Sequence, residues 1–99
     1  PLPDNVPLLV WGAGALAQRL LGQGAIPLAQ VVAFLDGNPN KQGLTLADKP
    51  IWAPSDGLRK HPAAHVLVCI AIDPHQVEHD IQHADVNQAR TMHFFTPLT

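Results

Sequence analysis

The stretch that decides the fold is residues 6–17, which read VPLLVWGAGALA. The run from Val6 to Trp11 is short and almost wholly apolar, as is typical of a parallel strand buried on both faces. Two glycines at positions 12 and 14 then interrupt it. Apolar residues return at helical spacing, so a helix is predicted from about Ala15 to Gln23. A strand, a glycine turn and a helix in this order predict a turn that can hold a phosphate group.

Strand and helix patterns alternate along the rest of the chain. Further strands are predicted at Val31–Leu35, Pro50–Trp52, His65–Ile72 and Arg90–Phe95. Pro54-Ser55-Asp56 is expected to lead into a brief helix that ends near Lys60, and another helix is predicted from Asp73 to about Ala84. Short connections between such elements imply right-handed crossovers. We therefore predict one Rossmann-like, three-layer α/β domain with a parallel sheet of about five strands in the order 3-2-1-4-5. Ligands of such sheets bind beyond the carboxyl ends of the strands, here between the first and fourth.

The length of 99 residues suits a single domain. Residues 1–5 include Pro1 and Pro3 and are expected to be a linker. The Rossmann-like domain is expected at residues 6–99. Because the chain begins with Pro1 and not with Met, we expect a domain excised from a longer chain.

Charge and hydropathy argue against several classes of partner. Six Lys and Arg against eight Asp and Glu give a formal net charge of −2, and the basic residues are scattered. We therefore expect no nucleic acid partner. No apolar run approaches the roughly 20 residues of a membrane span, and no signal peptide pattern is visible, so we expect no membrane partner and a cytoplasmic location. The single cysteine, Cys69, lies in an apolar run and is expected to be a buried hydrophobic residue.

The glycine turn supplies the first candidate binding residues. Gly12 permits a tight turn, and Gly14 lets the backbone approach a phosphate closely. The free amides of Gly12, Ala13, Gly14 and Ala15 and the helix dipole attract an anion without a basic side chain. The alternative is a tight turn between strand and helix that holds no ligand.

A second group of candidates follows the strand that ends at Leu35. Asp36 comes 22 residues after Gly14, where a carboxylate can accept hydrogen bonds from both ribose hydroxyls. Asn38 and Lys41 lie in the same loop and are candidates for a phosphate or sugar contact. Alternatively, Asp36 only begins the turn that follows, and Lys41 is a solvated surface charge.

The loop after the fourth predicted strand faces the glycine turn. Ile72 and Asp73 are therefore candidates for contact with the base or the sugar. Asp73 also has a structural explanation, since Asp before Pro74, with Gln76 three residues on, forms a capping box. The helix that follows is expected to bury Val77, Ile81 and Ala84.

Residues for catalysis or metal binding are not evident. Ser55 has no base nearby in the pattern, and His93 has no partner, so we predict no catalytic residue. His75, His79 and His83 share one helix face, but that face is expected to be exposed, and no metal site is predicted.

Four segments resemble a known group of domains: VPLLVWGAGALAQRLL, VVAFLDGNPNKQG, KPIWAPSD and HVLVCIAI. Over residues 6–95 the chain resembles Rossmann-like accessory domains of sugar-modifying enzymes. The similar domains are the C-terminal domain of SAM-dependent sugar methyltransferases, domains associated with FkbM-type methyltransferases, and the N-terminal domain of UDP-sugar acetyltransferases. The resemblance implies that Gly12–Gly14 and Asp36 hold a UDP-sugar. Neither hexapeptide repeats nor a SAM-binding core is present, so the domain is expected not to be catalytic alone.

Three functions remain open at this stage. The main hypothesis is a nucleotide- or nucleotide-sugar-binding accessory domain of a larger transferase, which binds a UDP- or TDP-sugar and contacts the other domains of its parent chain. NAD(P) and SAM are less favoured ligands. The alternatives are the NAD(P)-binding half of an oxidoreductase and a structural or assembly module without a ligand.

Overall fold

One sheet with helices on both faces is formed by residues 3–70, 74–85 and 90–95, the parts that the computed structural model describes. The strands are β1 Leu8–Trp11, β2 Val31–Leu35, β3 Thr45–Leu46, β4 Lys49–Trp52, β5 His65–Val68 and β6 Met92–Phe94. The helices are α1 Ala15–Gly22, α2 Pro54–Lys60 and α3 Pro74–Ala84, and a 3₁₀ turn covers Leu28–Gln30.

The strand order across the sheet is β3-β4-β2-β1-β5-β6. Every neighbouring pair is parallel except β3 and β4, which are antiparallel. The five strands that the sequence predicts are β1, β2, β4, β5 and β6, so the predicted order 3-2-1-4-5 is confirmed. The strand β2 lies on one side of β1 and β5 lies on the other. The strand order therefore reverses direction beside β1.

Burial of β1 on both faces explains why its sequence is a continuous apolar run. Leu8 and Val10 pack on the α1 side of the sheet, and Leu9 and Trp11 pack on the side of α2 and α3. The two faces are completed by Leu16, Ala17, Leu20 and Phe34 on the first side and by Leu35, Leu58, Val66 and Ile81 on the second. The three predicted layers are therefore present.

The strand β3 is an addition that the sequence pattern does not reveal. It forms a hairpin with β4 through Ala47 and Asp48, whose φ angles are 51° and 64°. Positive φ at both central residues is the geometry of a type I′ turn, which Asn-Gly or Asp-Gly usually marks. Because neither residue is glycine, the usual hairpin signal is missing.

The fourth predicted strand is shorter than expected. It is predicted over His65–Ile72, but β5 ends at Val68. Among the described residues, the bonds between this strand and its neighbours end here: the amide of Cys69 donates to Trp11 O of β1 at 2.9 Å, and Phe95 N donates to Val68 O at 3.1 Å. Ile72 and Asp73 lie outside the described residues.

The helix α3 presents a polar side as expected. Ile81 is buried, whereas His79 and His83 are exposed. The side chains of His75, Val77 and Ala84 lie outside the described set. Gln76 donates from Nε2 to Asp80 Oδ1 at 3.0 Å within the helix. None of the helices in the described ranges has the length and apolarity needed to cross a membrane.

The predicted linker contacts the domain where it can be described. Gln30 Nε2 donates to Pro3 O at 2.9 Å and to Val6 O at 3.1 Å. These bonds tie the beginning of the described chain to the 3₁₀ turn. The boundary between residues 1–5 and 6–99 stays a prediction.

A buried ion pair, Asp85–Arg90, fastens the end of the fold. Both side chains are 2% exposed. Arg90 binds both oxygens of Asp85 through Nε and Nη2, and its remaining donors reach three carbonyl oxygens. Those acceptors are Leu58 O, His61 O and Ala64 O. One guanidinium therefore joins the end of α2, the loop before β5 and the segment before β6. The sequence pattern places Arg90 in a strand and gives no sign of this role.

We expect Arg90→Ala to lower the free energy of unfolding by about 3–5 kcal/mol, because it leaves Asp85 buried without its cation. The matched control is Arg59→Ala, which removes an exposed pair with Asp56 at 2.8 Å and should cost less than about 1 kcal/mol. Urea denaturation of both variants measures the difference. Equal effects would contradict the role given to Arg90.

Candidate nucleotide-binding site

A cavity of about 350 Å³ opens at the carboxyl ends of β1 and β2, beside the residues that follow β5. Its lining consists of Trp11, Gly12, Gly14, Ala15, Leu16, Leu35, Asp36, Gly37, Cys69 and Ile70. The walls are mostly apolar, and the polar groups are concentrated at the glycine turn and at Asp36. A concave apolar site with a few convergent polar groups is typical of small-molecule and cofactor sites.

Gly12 is required by the backbone that surrounds it. Its φ is +112°, and a Cβ atom there would lie 2.7 Å from Cys69 O and 3.0 Å from Ile70 Cγ1. Its amide donates to Leu35 O at 2.7 Å. The end of β1 is thus held between the ends of β2 and β5, which brings all three strand ends to one place.

Gly14 is different, because neither its conformation nor its protein contacts demand glycine. Its φ is −96°, which any residue adopts. A Cβ atom there would meet only Lys41 Nζ, at 3.6 Å. Gly14 is also the N-cap of α1, and no side chain caps the helix there. The absent side chain therefore leaves open space in front of helix amides that need acceptors.

Asp36 joins the second strand to the glycine turn. Its Oδ2 accepts from Ala13 N at 3.1 Å, and its Oδ1 accepts from Asn38 N at 2.9 Å. The side chain is 18% exposed, and Asp36 lines the cavity. A carboxylate oxygen can accept more than one hydrogen bond, so each oxygen keeps capacity for a ligand. Asp36 thus begins the turn, as the structural alternative has it, and also lies at the site.

The loop after Asp36 folds back over the glycine turn. Gln42 Nε2 donates to Asp36 O at 2.9 Å, and Asn38 Oδ1 accepts from Asn40 N at 3.0 Å. These bonds place Lys41 Nζ 3.4 Å from Ala13 O and 3.9 Å from Asp36 Oδ2. The Lys41 side chain is 36% exposed, so it is partly solvated and also lies against the glycine turn. Asn38 shapes the loop through its side chain.

Several residues of the cavity wall are missed by the motif-based reasoning. Trp11, Leu35 and Ile70 line the cavity beside the predicted glycine turn. The signal that could have found them is their position at the end of an apolar strand. Ile72 and Asp73, the remaining candidates, lie outside the described residues.

A histidine pair outside the cavity was also missed. The sequence analysis gives His93 no partner, but His93 Nε2 lies 3.0 Å from His65 Nδ1 on the neighbouring strand. Burial first, and then the charge of His65, lower the pKa of His93 from its ordinary value. The pairing depends on strand register, which the isolated sequence of either strand does not show. Within the described ranges, no group of three or more His, Cys, Asp or Glu is placed to hold a metal ion.

The fold of this chain is similar to that of known structures, although its sequence matches no family model and no curated protein. The chain is similar to the crystal structure of RSP, a Rex-family repressor, with a TM-score of 0.66 and 20% identity over 95% of this chain. RSP in complex with β-NADH gives a TM-score of 0.65, and RSP in complex with β-NAD+ and operator DNA gives 0.66.

The chain has the fold of a Rossmann-like nucleotide-binding domain. It spans less than half of each RSP chain, 45–47%. At 20% identity these neighbours support the fold. They do not support the resemblance to domains of sugar-modifying enzymes.

The prediction that nucleic acid is not a partner is contradicted by one of these structures, in which RSP is in complex with β-NAD+ and operator DNA. The prediction rested on scattered basic residues and a net charge of −2. That charge count describes the surface of one domain, and the chain matches only 45% of that RSP chain. The net charge of one domain does not determine whether a longer protein that contains such a domain binds nucleic acid.

We expect Gly12→Ala to destabilise the protein by about 2–4 kcal/mol, because it combines a strained φ with a clash against backbone. Gly22→Ala is the matched control, since a Cβ atom at Gly22 meets nothing within 4 Å. This substitution should stabilise α1 by about 0.4–1 kcal/mol. Thermal unfolding compares the two. A Gly12→Ala variant as stable as the parent would show that the turn does not need glycine.

Cys69 is expected to be unreactive although it lines the cavity. Burial raises the pKa of its thiol to about 11, so at pH 8 only about one molecule in a thousand carries the thiolate that reacts. Labelling with iodoacetamide, followed by mass spectrometry, should be far slower in the folded protein than in denaturant. Labelling of the folded protein at the rate of a free cysteine would refute this.

Proposed function

We propose that this domain binds NAD(H). The proposal rests on one observation: the uncapped beginning of α1 and the Asp36 carboxylate lie at the rim of the same apolar cavity. A dinucleotide needs acceptors for ribose hydroxyls, donors for a diphosphate and apolar walls for its rings. The similarity to RSP in complex with β-NADH supports this ligand over the UDP- or TDP-sugar of the sequence analysis.

The diphosphate would lie against the beginning of α1. Amides at an uncapped helix N-terminus lack acceptors within the helix, and the helix dipole favours an anion there. The open space at Gly14 lets an anion approach these amides directly. Lys41 Nζ, 3.4 Å from Ala13 O, adds a positive charge at the same place.

The ribose next to the adenine would be held by Asp36. Two backbone amides, Ala13 N and Asn38 N, fix this carboxylate in position. A fixed carboxylate accepts hydrogen bonds from a free 2′-hydroxyl and repels a 2′-phosphate. NAD(H) is therefore the expected ligand in preference to NADP(H).

The apolar walls would cover the flat rings of the ligand. Trp11, Leu35 and Ile70 contribute such surface to the cavity. Burial of ring surface against apolar side chains supplies affinity, while the few polar groups determine orientation. The roles of Ile72 and Asp73 near a base or sugar stay predictions.

Binding of NADH is measurable through tryptophan fluorescence, because Trp11 lines the cavity. Excitation of tryptophan should produce energy transfer to NADH and quench the protein emission. In a melting experiment, ligand at about 100 times its Kd should add roughly 2.7 kcal/mol, a shift on the order of 10 °C. A panel of NAD+, NADH, NADPH, UDP-GlcNAc, SAM and CoA ranks the ligands.

Gly14→Val tests the placement of the ligand. A Cβ atom there contacts only Lys41 Nζ, at 3.6 Å, and the added methyl groups take up space beside the helix amides. We expect at least a tenfold loss of NADH affinity and a cost in stability of only about 1 kcal/mol from the less favourable N-cap. Gly22→Ala, at the other end of α1, should bind as the parent does.

Two outcomes would overturn the proposal. If UDP-GlcNAc shifts the melting point more than NADH does, the nucleotide-sugar hypothesis is the better one. If no ligand of the panel shifts it, the domain is a structural module that has the fold without a ligand.

A further inference from the structure

The strands β5 and β6 bring two histidines together away from the cavity. His93 pairs in register with Leu67, and His65 lies two residues earlier on the same strand as Leu67. Because side chains two residues apart on a strand share a face, His65 and His93 lie on one face of the sheet. Both side chains are half-buried.

The two rings point nitrogen atoms at each other. His65 Nδ1 and His93 Nε2 are 3.0 Å apart, and the ring centroids are 5.2 Å apart. Two Zn–N bonds of about 2.0–2.1 Å at a tetrahedral angle separate their nitrogens by about 3.3 Å. The separation of the two nitrogens is therefore within a few tenths of an ångström of that in a two-histidine chelate.

The hydrogen bonding of the two rings is compatible with metal binding. In a neutral pair, one ring donates its N–H to the bare nitrogen of the other. A change of tautomer moves that proton to the outer nitrogen of the donor ring, and both facing lone pairs become available.

We propose that His65 and His93 form a binding site for a divalent transition metal of the zinc class. Imidazole nitrogen is a preferred ligand of Zn²⁺, Cu²⁺ and Ni²⁺. Since the described residues supply no group of three or more ligands, water completes the coordination. The site is independent of the proposed nucleotide function.

The histidines of α3 form the competing site. His79 and His83 have ring centroids 4.1 Å apart, but the His79 side chain is 62% exposed. One ring nitrogen of His83, Nδ1, lies 3.2 Å from His79 O. The strand pair has the advantage that a hydrogen-bonded sheet fixes both backbones and that its nitrogens already face each other. Zinc measurements must nevertheless separate the two sites.

The experiment uses Zn²⁺ and the 99-residue chain without a polyhistidine tag. The background variant is His75→Gln/His79→Gln/His83→Gln, which removes every histidine of α3. Titration calorimetry at pH 7.5 should show one zinc ion bound per chain. Addition of His93→Gln to this background should weaken zinc binding at least tenfold, while the melting temperature stays close to that of the background.

A second measurement does not depend on the folding of a variant. In the unaltered protein, NMR signals of the His65 and His93 rings should both shift or broaden on addition of zinc. Zinc binding that His93→Gln leaves unchanged would overturn the proposal. So would a background variant that binds no zinc, or ring signals that move only at His79 and His83.

Discussion

The fold depends on one close approach of backbone to backbone, at Gly12. A Cβ atom at this position would lie 2.7 Å from Cys69 O, and the Gly12 amide donates to Leu35 O at 2.7 Å. Three strand ends therefore meet within hydrogen-bond distance, and the chain can turn at once into α1. Both the cavity and the uncapped helix beginning are consequences of this turn, because a side chain here would push the strand ends apart.

The structural roles of residues at this edge of the sheet overlap with their proposed roles in ligand binding. Asp36 accepts hydrogen bonds from Ala13 N and Asn38 N, so its carboxylate stabilises the turn and has a fixed orientation at the cavity. Lys41 lies 3.9 Å from Asp36 Oδ2, which offsets part of the negative charge that an incoming diphosphate would meet. Groups that are fixed before binding lose little conformational entropy on binding. Gly14, in contrast, caps α1 through its backbone, and neither this role nor its φ angle requires glycine; the missing side chain leaves space in front of the helix.

The sequence predicts what depends on local pattern. Apolar runs such as Val31–Leu35, the glycine turn and the acidic residue at the end of β2 follow from spacing alone, and the strand order follows from the rules of crossover connections. Long-range pairings do not leave such a pattern. The bonds from Arg90 to the carbonyls of Leu58, His61 and Ala64, the His65–His93 contact and the position of Lys41 depend on segments brought together by folding. The type I′ turn at Ala47 lacks its usual glycine. The local pattern does not determine the ligand class either, since a glycine turn and an acid are common to many nucleotide sites.

The most direct test of the central claim is a titration of the ¹⁵N-labelled domain with NAD+, followed by NMR of the backbone amides. The account predicts that the largest shifts occur at Gly14, Ala15 and Leu16, at the beginning of α1, and at Gly37 beside Asp36. Amides at the opposite end of the sheet, such as that of His65, should stay unchanged. Shifts that are absent from the beginning of α1, or that are largest elsewhere, would contradict the claim that this turn holds a dinucleotide.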